Sequence, residues 1–308
     1  MKKLTYLVSA IAAGLFTSAH ADVSVSGSAT LAYQSAGSDT QLRHGGAVSF
    51  DLSTTTDSGM TVSTSAGITL DPSDTSSPTT TVTGWDNLTF ATGGVTLTVG
   101  RDVGVPDGVG RVGGLVSDIT ALNSAGIDEE TGLTDDEGAG VSISTSLGSA
   151  GLTVVYVADS TPEANSSAIS DGDETGTGVK ITTAMGDIGV TVGYATYSGL
   201  VDDTETAGAV TYASSMGTIT AGYTASTGAQ DGNQLGISYS MDLDAATSIG
   251  IGYTSTNVNN QSGRATDIVV SRSLGGGMSV WAELRNTSGD TAAAGENSTM
   301  AIGTSVSF

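Results

Sequence analysis

The sequence predicts an all-β chain folded as a transmembrane antiparallel β-barrel of sixteen strands. Three observations predict it. Apolar and small polar residues alternate with period two along nearly the whole chain, and helix-period stripes are almost absent. Tight connections and longer polar ones follow each other in strict rotation. No stretch after residue 21 approaches the ~18 uninterrupted apolar residues of a membrane helix. A chain that meets lipid without such a helix must close its strands into a ring, because an open edge leaves backbone groups unsatisfied in hydrocarbon.

The first element is a leader. Met1-Lys2-Lys3 is a short positive start, Leu4 to Phe16 is apolar, and Ala19-His20-Ala21 has the small-x-small form of a cleavage site. Residues 1–21 therefore predict a bacterial secretory signal peptide, with 22–308 as the mature barrel. The leader carries two of the nine basic residues and none of the 32 acidic ones. The remaining seven bases leave an excess of 25 negative charges. That balance excludes nucleic acid as a partner, since phosphate recognition needs basic patches. The chain has no cysteine, so export is not followed by a disulfide framework.

The strands follow in order. Val23, Val25, Ala29, Leu31 and Tyr33 alternate with Ser24, Ser26, Ser28 and Thr30 in the first. Val48-Phe50-Leu52, Met60 to Leu70, Val95-Leu97-Val99, Val141 to Leu147 and Leu152-Val154-Tyr156 continue the pattern. Val179 to Met185, Ile188 to Tyr194, Ile219 to Tyr223, Leu235 to Met241, Ile249 to Tyr253, Met278 to Leu284 and Met300 to Phe308 complete the clear runs. Runs at 81–92, 205–215 and 265–273 are less regular and bring the total to sixteen. Turns at Asp57 to Gly59, Gly93-Gly94, Gly148 to Ala150, Gly186-Asp187, Met216-Gly217, Asp242 to Ala245 and Gly275 to Gly277 use residues that tolerate positive φ. The intervening connections, 34–44, 71–80, 102–137, 159–175, 198–204, 227–231, 257–264 and 288–297, are polar. Tight turns and both termini thus share one rim, and eight loops occupy the other.

The face opposite the apolar sets is mostly Ser, Thr and Gly, the reverse of a soluble barrel. A ring of sixteen strands is too wide for such side chains to fill, so it encloses water. Tyr33, Tyr156, Tyr194, Tyr223 and Tyr253, near strand ends on the apolar face, read as a membrane-interface girdle. Catalytic chemistry is not expected. His44 is the only histidine left after cleavage, and no Gly-x-Ser-x-Gly elbow opens a helix.

The stretches DVSVSGSATLAY at 22–33, TTTDSGMTVSTSAG at 54–67, VGRDVGVPDGVGRVGG at 99–114 and the terminal SVSF carry a family resemblance. In this order and spacing the chain resembles the general diffusion porins of Gram-negative outer membranes, closest to the alphaproteobacterial sixteen-stranded type. The resemblance implies a homotrimer in the outer membrane, passing small hydrophilic solutes and ions. It implies a third external loop folded inward as a constriction, here 102–137. Its acidic face would oppose a basic wall. The loop carries Asp102, Asp107, Asp118, Asp128, Glu129, Glu130, Asp135, Asp136 and Glu137 against one base, Arg111. Arg101 matches a pore arginine of the family, although strict alternation puts it with Val95, Leu97 and Val99 unless a bulge re-aims it. Lys180 and Arg285 face inward by alternation and are the better basic-wall candidates; Glu283 and Trp281 share the Arg285 face. Arg43, Arg264 and Arg272 read as rim or turn residues. With so few bases, the acidic loop favours cations.

Phe308 is expected to sit where the last strand closes on the first, and the resemblance makes it a recognition mark for the outer-membrane assembly machinery. Outer-membrane lipid and lipopolysaccharide are the surrounding partners. No cofactor is expected. The acidic loop at Asp171-Gly172-Asp173-Glu174 has some calcium-site character, but its spacing is incomplete and a solvated loop is the simpler reading. A surface adhesion or structural barrel without general pore activity is the alternative, and a secreted soluble β-rich protein is the third class.

Overall fold

The computed structural model describes residues 21–36, 39–71, 79–84, 87–103, 138–159, 175–198, 203–228, 231–258, 261–289 and 298–308. Apart from Ala21, the expected leader lies outside them. The strands are β1 (Ala21–Ala36), β2 (Asp39–Thr55), β3 (Thr61–Asp71), β4 (Thr79–Gly84), β5 (Asn87–Thr92), β6 (Val95–Val103), β7 (Gly138–Leu147), β8 (Ala150–Asp159) and β9 (Thr175–Met185). They continue as β10 (Ile188–Ser198), β11 (Asp203–Ser214), β12 (Gly217–Thr227), β13 (Gly232–Asp242), β14 (Thr247–Val258), β15 (Gln261–Gly275), β16 (Met278–Gly289) and β17 (Ser298–Ser307).

Each strand pairs antiparallel with its neighbour in sequence, except that β4 and β5 both pair with β3, and β1 pairs with both β2 and β17. The sheet is therefore closed, which removes every open edge from the membrane. Segments β4 and β5 lie on the same flank of β3, with Ala66 opposite Gly84 and Ser63 opposite Thr89. Between these two pairs lie two residues of β3 and four of its partner. The irregular run at 81–92 is one strand with an interruption at 85–86, and the ring has sixteen strands.

Seven tight turns share one rim with both strand termini, as the rotation of connections predicted. At Gly93-Gly94 both residues take positive φ, 56° and 81°, so that a two-residue turn matches the twist of β5 and β6. The far rim is less loop-rich than the sequence implied. Strands β1 and β2 run sixteen and seventeen residues and are joined through 37–38; β14 and β15 are joined through 259–260. About ten residues cross a membrane. The polar residues around Gln34 and Gln41, read as loop, instead continue the β1–β2 ladder beyond the apolar band. The spans 72–78, 104–137, 160–174 and 290–297 remain as the long connections between strands.

Register sorts the two faces. Leu31, Tyr33, Val154, Tyr156, Val192, Tyr194, Ile237 and Ile302 point outward and are exposed, as a lipid-facing band requires. Outward aromatics occur near both rims: the five tyrosines expected from sequence lie toward the loop side, and Phe50, Phe90, Tyr212 and Tyr239 toward the turns. Two girdles are the arrangement a membrane-spanning sheet needs.

Candidate functional site: the inner wall of the barrel

Inward positions divide into two zones. On the turn side Ser24, Thr96, Thr182, Ser248 and Ser305 are open or half-buried. On the loop side Gln34, Val157, Gln234, Thr256, Arg285 and Thr299 are buried. The first zone is a wet polar surface. The second holds the buried charged side chains of the described residues, Glu205, Asp267, Glu283 and Arg285.

Strands β15 and β16 build the charged station. Asp267 and Arg285 are cross-strand partners, so their side chains leave the sheet side by side. The Arg285 Nε lies 3.4 Å from an Asp267 carboxylate oxygen, and the two side chains are 1% and 5% exposed. Glu283, two residues before Arg285 on the same inward face, is also buried. A guanidinium flanked by two carboxylates on one wall is what makes charge tolerable there, because an unpaired buried ion costs far more than a paired one. Glu283 and Arg285 therefore stand where alternation placed them. Asp267 was missed. The signal was present, since Ile268 and Val270 point outward and parity puts Asp267 inward, but the flanking Gly263 and Ala265 blur the pattern.

Next along β16, Trp281 is 7% exposed and clusters with Ala32 and Ala301. Its indole lies against Gly303, and any side chain at that position would collide with the ring and with the Leu31 carbonyl oxygen. The indole thereby covers the pairing of β17 with β1, where Gly303 is opposite Ala32. Trp281 is a packing residue on the inner side of the seam. On the outer side Phe308 extends the same seam. Its amide donates to the Gly27 carbonyl at 3.0 Å and its carbonyl accepts from the Gly27 amide at 2.8 Å. The ring lies against Gly27, where a Cβ would stand 2.5 Å from it, yet Phe308 remains 74% exposed on the lipid side. Phe308 thus stands beside β1 at the end of the β17–β1 pairing.

Lys180 on β9 faces inward, opposite Thr153 of β8 and Gly193 of β10. It lines a crevice of about 240 Å³ with Thr96, Ser144, Thr153 and Thr182. Above it, toward the loop side, the wall changes character. Val103, Val155, Val157 and Ala195 form a buried apolar cluster on the inward face. The mostly Ser, Thr and Gly inner face is interrupted here, because the run Val154-Val155-Tyr156-Val157 is apolar on both faces and hides its own alternation.

At Arg101 the backbone departs from strict alternation. The β6–β7 register shifts between Gly100 and Val103, so Arg101 and Asp102 both stand opposite Ala139 in a bulge. Val103 consequently joins the inward set, and strict alternation does not extend past Gly100. Asp107, Arg111, Asp118, Asp128, Glu129 and Glu130 lie outside the described residues, as does the calcium-like stretch 171–174. Among the described residues no three metal-ligating side chains converge.

At the turn rim Arg272 pairs with Asp244 at 3.3 Å, both half-exposed. Asp244 also accepts from the Ala246 and Thr247 amides at 2.7 and 2.9 Å. The Ala246 amide above all, with the Thr247 donors and Arg272, holds the Asp244 carboxyl below its ordinary value. Arg272 is thus a turn residue, as read from sequence. Arg264 points outward near the loop rim and is exposed.

Comparisons with known proteins agree with this architecture. The sequence matches the Gram-negative porin family over residues 8–303. No curated protein sequence matches it. Among solved structures it is similar to a loop-deletion variant of OmpT, an outer membrane protein of Vibrio cholerae, with a TM-score of 0.69 at 13% identity, covering 94% of this chain and 99% of that one. The in-vitro folded trimer form of OmpT gives 0.67 at 14% identity, covering 94% and 99%. A triple mutant of Rhodopseudomonas blastica porin gives 0.69 at 16% identity, covering 93% and 100%. At such identities the structures speak for the fold, and the sequence match speaks for the family. The chain belongs to the Gram-negative porins, barrels that form channels in the outer membrane.

Proposed function

We propose that the chain is a general diffusion channel: a water-filled pore through which small hydrophilic solutes and ions pass down their gradients, with a preference for cations. The observation that carries this reading is the closed sixteen-stranded ring whose inner wall is polar on the turn side and whose outer wall is apolar. Size exclusion and electrostatics suffice for such passage, and no reaction or cofactor enters it. The charge bias supports cation preference. Asp51, Glu205, Asp242, Asp267 and Glu283 share the inward face with Lys180 and Arg285, and acidic rings favour cations.

The segment 102–137 is proposed as the constriction, with its acids Asp102, Asp107, Asp118, Asp128, Glu129 and Glu130 facing the solute path. Support comes from its position: it leaves and re-enters the ring beside the buried apolar cluster of Val103, Val155, Val157 and Ala195. A homotrimer is proposed as the assembled form, supported by the trimer form of OmpT. Export by a leader at 1–21, insertion through the outer-membrane assembly machinery at the Phe308 strand, and contact with lipid and lipopolysaccharide complete the proposal.

Reconstitution in planar bilayers tests it. Discrete conductance steps are expected, and their absence from protein shown to be folded would refute the channel. Reversal potentials in a salt gradient test selectivity separately: an anion-selective value would overturn the acidic-wall argument.

A further inference from the structure

The basic groups of the inner wall stand in two environments. Arg285 is held against Asp267. Lys180 makes no ion pair among the described residues, and its neighbours are hydroxyls. Register explains why. Thr96 is opposite Ser144, Ser144 opposite Thr153, and Thr153 opposite Lys180, so one transverse row crosses β6, β7, β8 and β9 on the inward face. The next row toward the turns is Ser146, Gly151 and Thr182. Gly151 leaves a hollow in that row, and a Cβ there would stand 2.7 Å from the Thr182 hydroxyl. The crevice of about 240 Å³ is bounded by these two rows, and among the described residues no carboxylate lines it.

We propose that this crevice is a binding station for small oxyanions: inorganic phosphate or sulfate, or the carboxylate end of an organic acid. Several acceptor oxygens must be met at once on such a solute. An ammonium supplies the charge and three donors, and each hydroxyl can add one. Ser144 and Thr153 share a hydrogen bond at 2.9 Å, which uses one hydroxyl proton and leaves the other free to donate outward. A neutral sugar would gain little from Lys180, and a cation would be repelled. In a channel whose other inward charges are mostly acidic, the station gives anionic solutes a foothold near the turn-side mouth. The inference rests on the reading of the barrel as an open channel.

The test uses the mature protein in planar bilayers, in potassium chloride and in potassium phosphate of matched ionic strength at pH 7. Wild type is expected to show phosphate current that saturates in the millimolar range while chloride current stays linear. Lys180→Gln should remove the saturation and weaken apparent phosphate affinity about tenfold, the loss of roughly one charge-assisted contact. Lys180→Arg should retain most of it. Gly151→Val, which fills the hollow and leaves the charge, should also abolish saturation. If Lys180→Gln changes chloride and phosphate currents in equal proportion, or if Gly151→Val leaves saturation intact, the station does not exist and Lys180 acts only as a diffuse charge. Should no variant conduct, the channel reading fails on its own. Phosphorus NMR line broadening on the folded, detergent-solubilised protein then decides the crevice: broadening in wild type and its loss in Lys180→Gln support it, and equal broadening in both overturns it.

Discussion

Replacing Arg285 by Met keeps the stem and removes the charge between Asp267 and Glu283. The gross attraction lost at the observed 3.4 Å is ~5 kcal/mol at an effective dielectric of about 20. Part of that is offset because Arg285 need no longer be dehydrated, and what remains is a buried Asp267 carboxylate without its counter-ion. Breaking one side of such a pair costs about 3–5 kcal/mol in closed interiors; water inside the barrel lowers this to roughly 2–4 kcal/mol. Arg285→Met should therefore lower the thermal midpoint of the heat-modifiable gel shift. It should also increase cation selectivity by adding one uncompensated negative charge to the wall. The double variant Asp267→Asn/Arg285→Met should recover much of the lost stability, since it removes both charges. If the single variant melts like wild type and its reversal potential is unchanged, the pair does not shape either stability or the field of the pore.

Three further outcomes follow from the seam and the rim. Gly303→Val drives a branched side chain into Trp281 and should cost about 1–3 kcal/mol, read as a lower thermal midpoint; an unchanged midpoint would mean that the indole moves aside freely. Deleting Phe308 removes both hydrogen bonds to Gly27, each worth about 1 kcal/mol, and should slow formation of the heat-modifiable form while leaving single-channel conductance near wild type. Equal folding rates would refute its role at the seam. The folded pKa of Asp244 is held below the ordinary carboxylate value, so its contribution is present above that ordinary value and disappears as pH falls through the folded one. Protection of the Ala246 and Thr247 amides should drop over that acid range, and Asp244→Ala should show the low protection at all pH values. A pH-dependent loss that persists in the variant would assign the effect to another group.

The ring itself was legible because period-two alternation and turn chemistry are local signals, and sixteen of them in sequence leave one closed solution. Local signals also placed Lys180, Glu283 and Arg285 on the correct face. What alternation could not convey was any place where the backbone counts unevenly. The bulge at Gly100 to Val103 and the break between β4 and β5 insert residues on one strand only, and a pattern read along one strand has no view of its partner. The same limit hid Asp267, whose meaning depends on Arg285 lying opposite it across the β15–β16 register. The Val154 to Val157 run failed for a different reason: both faces are apolar there, so the contrast that reveals a strand's orientation vanishes.

The pairing of Ser28 with Ser307 joins residues 279 positions apart, whereas every other strand pairing, with β4 and β5 counted as one strand, is between neighbours in sequence. Closing a loop of that size costs about 5 kcal/mol of chain entropy on a logarithmic scale, some 4 kcal/mol more than closing a four-residue turn. The hairpins can therefore form early and independently, and the join of β1 to β17 is the late, contact-order-limited step. Until it forms, the sheet carries two free edges, each a template for pairing with another chain. The time the protein spends as an open sheet, and with it the risk of aggregation, is set by how fast Trp281, Gly303, Gly27 and Phe308 come together.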